Sequence, residues 1–157
     1  MKLRNFDIDN SKKMTLMGGM NVLESRDLAM EVAEKFKEAT SNNNINYIFK
    51  GSFDKANRSS INSYRGPGLE EGLKILEEVS NTFDVPVITD IHEPHQAQPV
   101  SEICEVMQIP SVKPIPAPFL SDSAFKIYCP KSSVPIKAPI ITINNANTIV
   151  WFKPSII

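Results

Sequence analysis

The chain has 157 residues, and its 17 basic and 18 acidic side chains give a formal net charge of −1. This length allows one sizeable core, and the near-neutral charge excludes a general attraction to nucleic acid or anionic membranes. No apolar run approaches the roughly 20 residues of a membrane span, and the first residues lack a signal-peptide apolar region, so we expect a cytoplasmic protein.

The first predicted β/α unit covers residues 15–40. The segment TLMGGMN is apolar and contains two glycines, which is typical of a strand that runs into a tight loop. Ser25 suits the N-cap of the helix that follows. Within that helix, the apolar residues Leu28, Val32 and Phe36 recur at helical spacing.

Two more strands and one more helix are predicted downstream. INYIFK (45–50) predicts the second strand, and the leucine spacing from Leu69 onward predicts the second helix. VPVITDIH (85–92) predicts the third strand, whose near-continuous apolar run is typical of burial on both faces. The alternation predicts an α/β fold with a parallel sheet, as in a β/α barrel or a doubly wound sheet.

A third helix is expected close to Pro99, which is acceptable as a first helical residue. Its inner face would then consist of Val100, Ile103 and Met107, at helical spacing. Cys104 lies beside this apolar face, and we expect it to be part of the core. With only one other cysteine in the chain, a disulfide framework is not indicated.

The composition changes near Pro110. Residues 1–110 contain all six glycines, whereas residues 111–157 contain none and hold seven of the twelve prolines. Prolines at this density prevent long helices and central strands. We therefore expect a β/α domain over residues 1–110, followed by a poorly packed Pro-rich tail with a strand pair around residues 144–147.

Polar side chains follow each predicted strand. Asn21 and Glu24 follow the first strand, Lys50 ends the second, and Asp90 ends the third. In parallel α/β folds, ligands bind at the carboxyl ends of the strands. A solvated charged surface would explain any one of these loops, but three loops at one edge favour a pocket.

The loop after the second strand has the composition of an anion site. Lys50 and Lys55 supply ammonium groups, and Arg58 can hold a phosphate through two parallel hydrogen bonds. Asn57 and the serines at 59 and 60 supply neutral hydrogen bonds. The set suits two anionic groups better than one. The sequence has no P-loop and no dinucleotide-binding glycine pattern, so nucleotide binding has no support.

The sequence is compatible with several roles for Asp90. It can orient or deprotonate a hydroxyl, bind a metal, or serve as a structural carboxylate. His92 and His95, with Glu93 between them, give only a weak indication of a metal site. Two histidines on one loop, without a nearby cysteine or third histidine, fall short of the usual ligand sets.

Three segments resemble the 3-deoxy-D-manno-octulosonate 8-phosphate synthase family: GGMNVLESRDLAM (18–30), FKGSFDKANRSSINSYRGPGLEEGLKI (49–75) and ITDIHEPHQAQPV (88–100). The segments are long and correctly ordered, and the resemblance extends over about residues 15–110. The related 3-deoxy-arabino-heptulosonate 7-phosphate synthases share the chemistry but not the KANRSS and SYRGPGLEEG segments.

The resemblance implies a TIM-barrel transferase that forms a homo-oligomer, usually a tetramer, in the cytoplasm. Such enzymes condense phosphoenolpyruvate with D-arabinose 5-phosphate and water and release phosphate, which makes a precursor of a lipopolysaccharide sugar. By the same resemblance, Lys50 and Lys55 bind phosphoenolpyruvate, with Ser52 nearby. Asp90 contacts the sugar hydroxyls, and the sugar phosphate is bound by Asn57, Arg58 and Ser59.

Asn21 bears on the metal requirement implied by the resemblance. Metal-dependent members carry a cysteine ligand at this position, and metal-independent members carry asparagine. A carboxamide is a poor ligand for a soft divalent metal, so we expect the metal-independent type, with no metal and no cofactor. His92 and His95 would then have structural roles.

The departure from the family pattern begins after Pro110. Family members continue through five more β/α units, whereas three units cannot close an eight-stranded barrel. We therefore interpret the chain as a frameshifted or truncated synthase rather than a genuine short variant, and we expect the isolated chain to be weakly active or inactive. The alternatives are a non-catalytic remnant that binds sugar phosphates and a nucleic-acid-binding loop, which lacks interleaved stacking aromatics.

Overall fold

The computed structural model describes residues 2–4, 6–9, 11–55, 64–110, 141–142 and 148–152. The strands are β1 (Lys2–Leu3), β2 (Phe6–Asp7), β3 (Thr15–Met20), β4 (Asn46–Gly51), β5 (Val87–Asp90), β6 (Val106–Pro110), β7 (Ile141–Thr142) and β8 (Thr148–Phe152). The helices are α1 (Arg26–Asn42), α2 (Leu69–Phe83) and α3 (Ala97–Ile103), and a single 3₁₀ turn covers Pro94–Gln96. Among these described residues, no helix is both long and apolar enough to span a membrane.

The main sheet has the strand order β3-β4-β5-β6-β8-β7. Strands β3 to β6 are parallel neighbours, as the β/α alternation predicts. The register pairs Gly19 with Lys50, Lys50 with Ile88, and Asp90 with Gln108. The carboxyl ends of these four strands therefore lie along one edge of the sheet.

The prediction for the third helix was wrong in its extent. Helix α3 starts at Ala97 rather than Pro99 and ends at Ile103. The Cys104 N–H still donates to the Val100 carbonyl oxygen, but the backbone of Cys104 is already extended. Met107 therefore lies on β6, a fourth parallel strand, because the run VMQI fits the period of a strand as well as that of a helix.

The strand pair predicted in the tail is confirmed by the antiparallel pairing of β7 with β8. Strand β8 also pairs antiparallel with β6, which the sequence did not indicate. The rest of residues 111–157 lies outside the described part of the chain, so the predicted poor packing of the tail stays a prediction.

Helix α1 begins as predicted, with the Leu28 N–H donating to Ser25 Oγ at 3.2 Å. Its packing face agrees only in part with the predicted stripe, since Val32 and Phe36 are partly buried against the core but Leu28 is 37% exposed. The fully buried positions of this helix are Ala29, Ala33 and Thr40. Small side chains on this face bring the helix close to the sheet.

The sheet buries a different set of side chains on each face. One cluster includes Phe49, Val87 and Met107 together with residues of the helices. A second cluster consists of Leu3, Ile48, Ile88 and Val106, with Phe6, Ile8 and Met17 packed against it. The short β1–β2 hairpin thus covers the second face near the amino ends of the strands. The guanidinium group of Arg4 connects this hairpin to the rest of the domain, because it forms hydrogen bonds with Glu105 and Ser80.

Candidate functional site

A polar layer lies beside the apolar cluster that the β1–β2 hairpin covers. Side chains alternate between the two faces of a strand, so a residue two positions beyond a cluster member shares its face. Lys50 follows Ile48 in this way, and Asp90 follows Ile88. Both polar residues therefore lie on the hairpin-covered face, one step closer to the carboxyl ends of the strands.

Four of the predicted site residues form one hydrogen-bonded group. Lys50 Nζ donates to Asp90 Oδ1 and to Ser52 Oγ, each at 2.7 Å. Lys55 Nζ lies 3.0 Å from the same Ser52 oxygen, and the Ser52 hydroxyl donates to Asp90 Oδ1. One buried hydroxyl thus joins two ammonium groups to one carboxylate, and we call Lys50, Ser52, Lys55 and Asp90 the lysine cluster.

Burial sets the electrostatics of the lysine cluster. The side chain of Lys50 is 22% exposed and that of Asp90 is 7% exposed. Burial lowers the pKa of the Lys50 ammonium, and attraction to Asp90 offsets this effect only in part. Burial also opposes ionisation of Asp90, but the charge of Lys50 and the hydrogen bonds from Lys50 and Ser52 outweigh it, so the Asp90 pKa is lowered. Asp90 is therefore a carboxylate at neutral pH.

Lys55 is held by the chain segment that follows the site. Its backbone N–H donates to the Arg65 carbonyl oxygen at 2.8 Å. The Arg65 guanidinium binds both carboxylate oxygens of Asp54, at 2.9 and 2.8 Å. The Nε2 atom of His92 lies 3.1 Å from the Asp54 carbonyl oxygen, which requires the proton on that nitrogen. Residues 54–55 are thus contacted by Arg65 and by His92, which come from two other segments of the chain.

The other predicted site residues do not join the lysine cluster within the described part of the chain. Asn21 is exposed just after β3, and Glu24 is also exposed. His95 is exposed on the 3₁₀ turn, one position before the Gln96 side chain that accepts the His92 N–H. The predicted sugar-phosphate ligands Asn57, Arg58 and Ser59, together with Ser60, lie outside the described residues.

The Asp90 carboxylate is engaged by side chains of the protein. Across the residues that the structure describes, no three His, Cys, Asp or Glu side chains are grouped closely enough to hold a metal ion. Asp90 Oδ1 is occupied by Lys50 and Ser52, and its Oδ2 is 3.6 Å from His92 Nε2. The ring of His92 also packs edge-on against Phe53.

Two residues near the site were not predicted from the sequence. Gln108 is opposite Asp90 in the β5–β6 register and is partly buried on the same face of the sheet. The alternation of Val106 and Gln108 could have indicated it, but the run also fits helical spacing. Arg65 had no local signal, because its ion pair with Asp54 spans 11 residues.

Residues 4–113 of this chain match a family model described as the DAHP synthetase I family. A 2-dehydro-3-deoxyphosphooctonate aldolase from Pseudoalteromonas translucida is 62% identical over 111 residues, 71% of this chain and 39% of the relative. Proteins of the same name from Hahella chejuensis and Psychromonas ingrahamii are each 63% identical over 111 residues, 71% of this chain and 40% of the relative. The chain thus spans about 40% of the length of these relatives.

Proposed function

Because this chain belongs to the DAHP synthetase I family, we propose that its site binds the substrates of a 3-deoxy-D-manno-octulosonate 8-phosphate synthase. The reaction condenses phosphoenolpyruvate with D-arabinose 5-phosphate and water, giving the 8-phosphate product and inorganic phosphate. The enol carbon attacks the sugar aldehyde, water adds to the resulting cationic carbon, and phosphate leaves.

The observation that carries this proposal is the lysine cluster. Phosphoenolpyruvate has two anionic groups, a carboxylate and a phosphate. Lys50 and Lys55 present two ammonium groups that meet at the single hydroxyl of Ser52. Partial burial of Lys50 strengthens its attraction to an anion, because screening by water is weaker there. These three residues are therefore assigned to phosphoenolpyruvate.

Asp90 is assigned to the sugar. Its carboxylate can accept hydrogen bonds that sugar hydroxyls donate, and it lies within the same cluster as the phosphoenolpyruvate lysines. Asn57, Arg58 and Ser59 are assigned to the sugar phosphate, on the basis of the KANRSS segment. Asn21 completes the proposed catalytic set with Lys50 and Asp90.

Further parts of the proposal rest on the family resemblance. The carboxamide at Asn21 is assigned to the metal-independent type of synthase, with no cofactor. The parallel β/α units correspond to the opening part of an eight-stranded TIM barrel, with residues 1–110 as the synthase part and residues 111–157 as a separate tail. A cytoplasmic location and assembly as a homo-tetramer belong to the same proposal.

A second candidate function is sugar-phosphate binding without turnover. It is favoured by the local character of the lysine cluster, whose hydrogen bonds join only side chains from residues 50–90. Such a cluster can bind an anion whether or not the chemistry that follows binding takes place.

One experiment separates the two candidates. Phosphate release is measured with both substrates present and in the presence of EDTA. Binding of phosphoenolpyruvate and binding of D-arabinose 5-phosphate are each measured by isothermal titration calorimetry. Turnover that is lost in Lys50→Met supports the synthase, whereas binding without turnover supports the second candidate. Lys74→Met is the matched control, because it removes an exposed ammonium on α2. If neither substrate binds the parent chain, both candidates fail.

A further inference from the structure

We propose that Arg65 is a positioning residue for Lys55, acting through Asp54 and through its own backbone carbonyl. The assignment of Lys55 to phosphoenolpyruvate rests on the proposed function, but the hydrogen bonds that orient Lys55 do not. Asp54 and Arg65 therefore belong to the machinery of the site, although neither is assigned to the substrates.

The geometry joins Arg65 to Lys55 in two ways. The Arg65 carbonyl oxygen accepts the Lys55 N–H at 2.8 Å, which fixes the backbone from which the ammonium extends. The Arg65 guanidinium binds Asp54, the preceding residue, through two parallel hydrogen bonds of 2.9 and 2.8 Å. A planar guanidinium bound at two points fixes distance and orientation together, whereas an ammonium acts as a single point charge.

The Asp54–Arg65 pair is itself anchored on both neighbouring loops. His92, after β5, donates from Nε2 to the Asp54 carbonyl oxygen at 3.1 Å. Tyr64, next to Arg65, donates from its hydroxyl to the Leu23 carbonyl oxygen in the β3–α1 loop at 3.1 Å. The pair therefore connects the loop after β4, which carries Lys55, with the β3–α1 loop and the loop after β5.

The backbone around this pair is also closely packed. The Gly68 N–H donates to the Phe53 carbonyl oxygen at 3.1 Å. A Cβ added to Gly66 would lie 2.2 Å from that same oxygen, so only glycine permits this approach. The two ends of the chain segment that carries Lys55 are thus held together at residues 53–55 and 65–68.

A role in stability alone does not account for this arrangement. The side chains of Arg65 and Asp54 are 56% and 25% exposed, and exposed ion pairs stabilise proteins only weakly. Loss of the pair should therefore change the unfolding midpoint little. It should have a larger effect on the position of Lys55. The Lys55 N–H donates to the Arg65 carbonyl oxygen, and the Lys55 ammonium reaches Ser52 from the same backbone.

The first measurement is phosphoenolpyruvate binding by calorimetry, with the full chain and its variants. Arg65→Lys keeps the charge but loses the two-point contact with Asp54. We expect its dissociation constant to rise by about tenfold, the scale of one charge-assisted hydrogen bond. Lys55→Met should abolish measurable binding, and Lys74→Gln, which removes an exposed cation on α2, should leave binding unchanged.

The second measurement needs no ligand and follows the site by ¹⁵N NMR. In Arg65→Lys, the Lys55 amide proton should shift upfield as its hydrogen bond weakens. The His92 ring should change from the Nε2-protonated tautomer to a mixture, because its acceptor moves with Asp54. Neither signal should change in Lys74→Gln.

The outcomes are distinguishable. Weaker binding in Arg65→Lys together with a shifted Lys55 amide supports the positioning role. Parent-like binding in Arg65→Lys with an unchanged Lys55 amide overturns it, even when Lys55→Met abolishes binding. If the parent chain does not bind phosphoenolpyruvate, the proposed function fails, and the Lys55 and His92 signals alone decide whether Arg65 positions Lys55.

Discussion

The ammonium group of Lys50 lies 2.7 Å from the Asp90 carboxylate, although the two residues are 40 positions apart in the sequence. The parallel pairing of β4 with β5 brings these positions together at the carboxyl ends of both strands. Asp90 thus supplies the countercharge of a largely buried lysine. An anionic ligand that reaches Lys50 must compete with this carboxylate.

The first prediction concerns the stability of this pair. Asp90→Asn leaves the Lys50 ammonium partly buried without a countercharge, and breaking such a pair is strongly destabilising. We expect the free energy of unfolding to fall by about 3 kcal/mol, measured by urea denaturation at neutral pH.

The matched control for that experiment is Glu31→Gln. This variant also replaces one carboxylate by a carboxamide, but it does so in the exposed pair of Glu31 with Lys35 on α1. Exposed helical pairs contribute little, so the control should unfold at the same urea concentration as the parent. Equal losses in the two variants would contradict the assigned role of Asp90.

The second prediction concerns acid stability. The Asp90 pKa is lowered from 3.8 in the folded chain, so between the lowered pKa and 3.8 the unfolded chain binds more protons. The stabilisation from Asp90 is therefore complete above 3.8 and is lost as the pH falls through the lowered pKa. Urea titrations at several acidic pH values should give a shallower pH dependence in Asp90→Asn than in the parent. Parallel curves would show that the folded-state pKa of Asp90 is not lowered.

Local sequence patterns were sufficient for β3, β4 and β5 but not for β6, the fourth parallel strand, whose run VMQI also fits helical spacing. Helix α1 starts at its predicted cap, and β3, β4 and β5 lie where the apolar runs predicted strands. The pairing of β6 with β8 could not be predicted in this way, because it joins positions about 40 residues apart with no local signal. The β1–β2 hairpin was missed because strands of two residues are too short to show a period.

The candidate site was partly predictable for a similar reason. Lys50 and Asp90 end apolar strands, so the general rule for parallel sheets places them at one edge. The hydroxyl of Ser52 was identified only by resemblance, since nothing in the local sequence indicates that one serine will bridge two lysines and a carboxylate. Arg65 depends on a contact across 11 residues and could be found only from the structure.

The third prediction concerns the buried hydroxyl of Thr89 on β5. Within the described residues, its Oγ1 is fully buried and makes no hydrogen bond. A buried hydroxyl without a partner costs free energy, and valine has nearly the same shape. Thr89→Val should raise the free energy of unfolding by about 1 kcal/mol.

Thr40→Val is the control for Thr89, since Thr40 is also buried but its hydroxyl donates to the Phe36 carbonyl oxygen at 2.7 Å. Removing a satisfied hydrogen bond should lower stability by about 1 kcal/mol. Calorimetric unfolding midpoints should therefore move in opposite directions in the two variants. A lower midpoint for Thr89→Val would mean that its hydroxyl has a partner after all.

The fourth prediction concerns the approach of β3 to Lys50. A Cβ added at Gly19 would lie 2.2 Å from the Lys50 carbonyl oxygen, which is backbone and cannot rotate away. Gly19→Ala must therefore push β3 away from β4 at the level of the lysine cluster. We expect a loss of about 3 kcal/mol in unfolding free energy, as for other strained backbone sites. Hydrogen exchange should accelerate at the β3–β4 amides.

The control for Gly19 separates crowding from backbone conformation. Gly68 has a φ of +86, which L-residues rarely adopt, but a Cβ added there would meet no atom within 4 Å. With a ψ of 174, this backbone lies in a region almost confined to glycine, so Gly68→Ala should cost about 2 kcal/mol from conformation alone. Because Lys50 belongs to β4, Gly19→Ala should also weaken phosphoenolpyruvate binding. Parent-like binding in Gly19→Ala would mean that the separation of β3 from β4 does not control the position of Lys50, and equal losses of stability in the two variants would mean that crowding at Gly19 adds no cost.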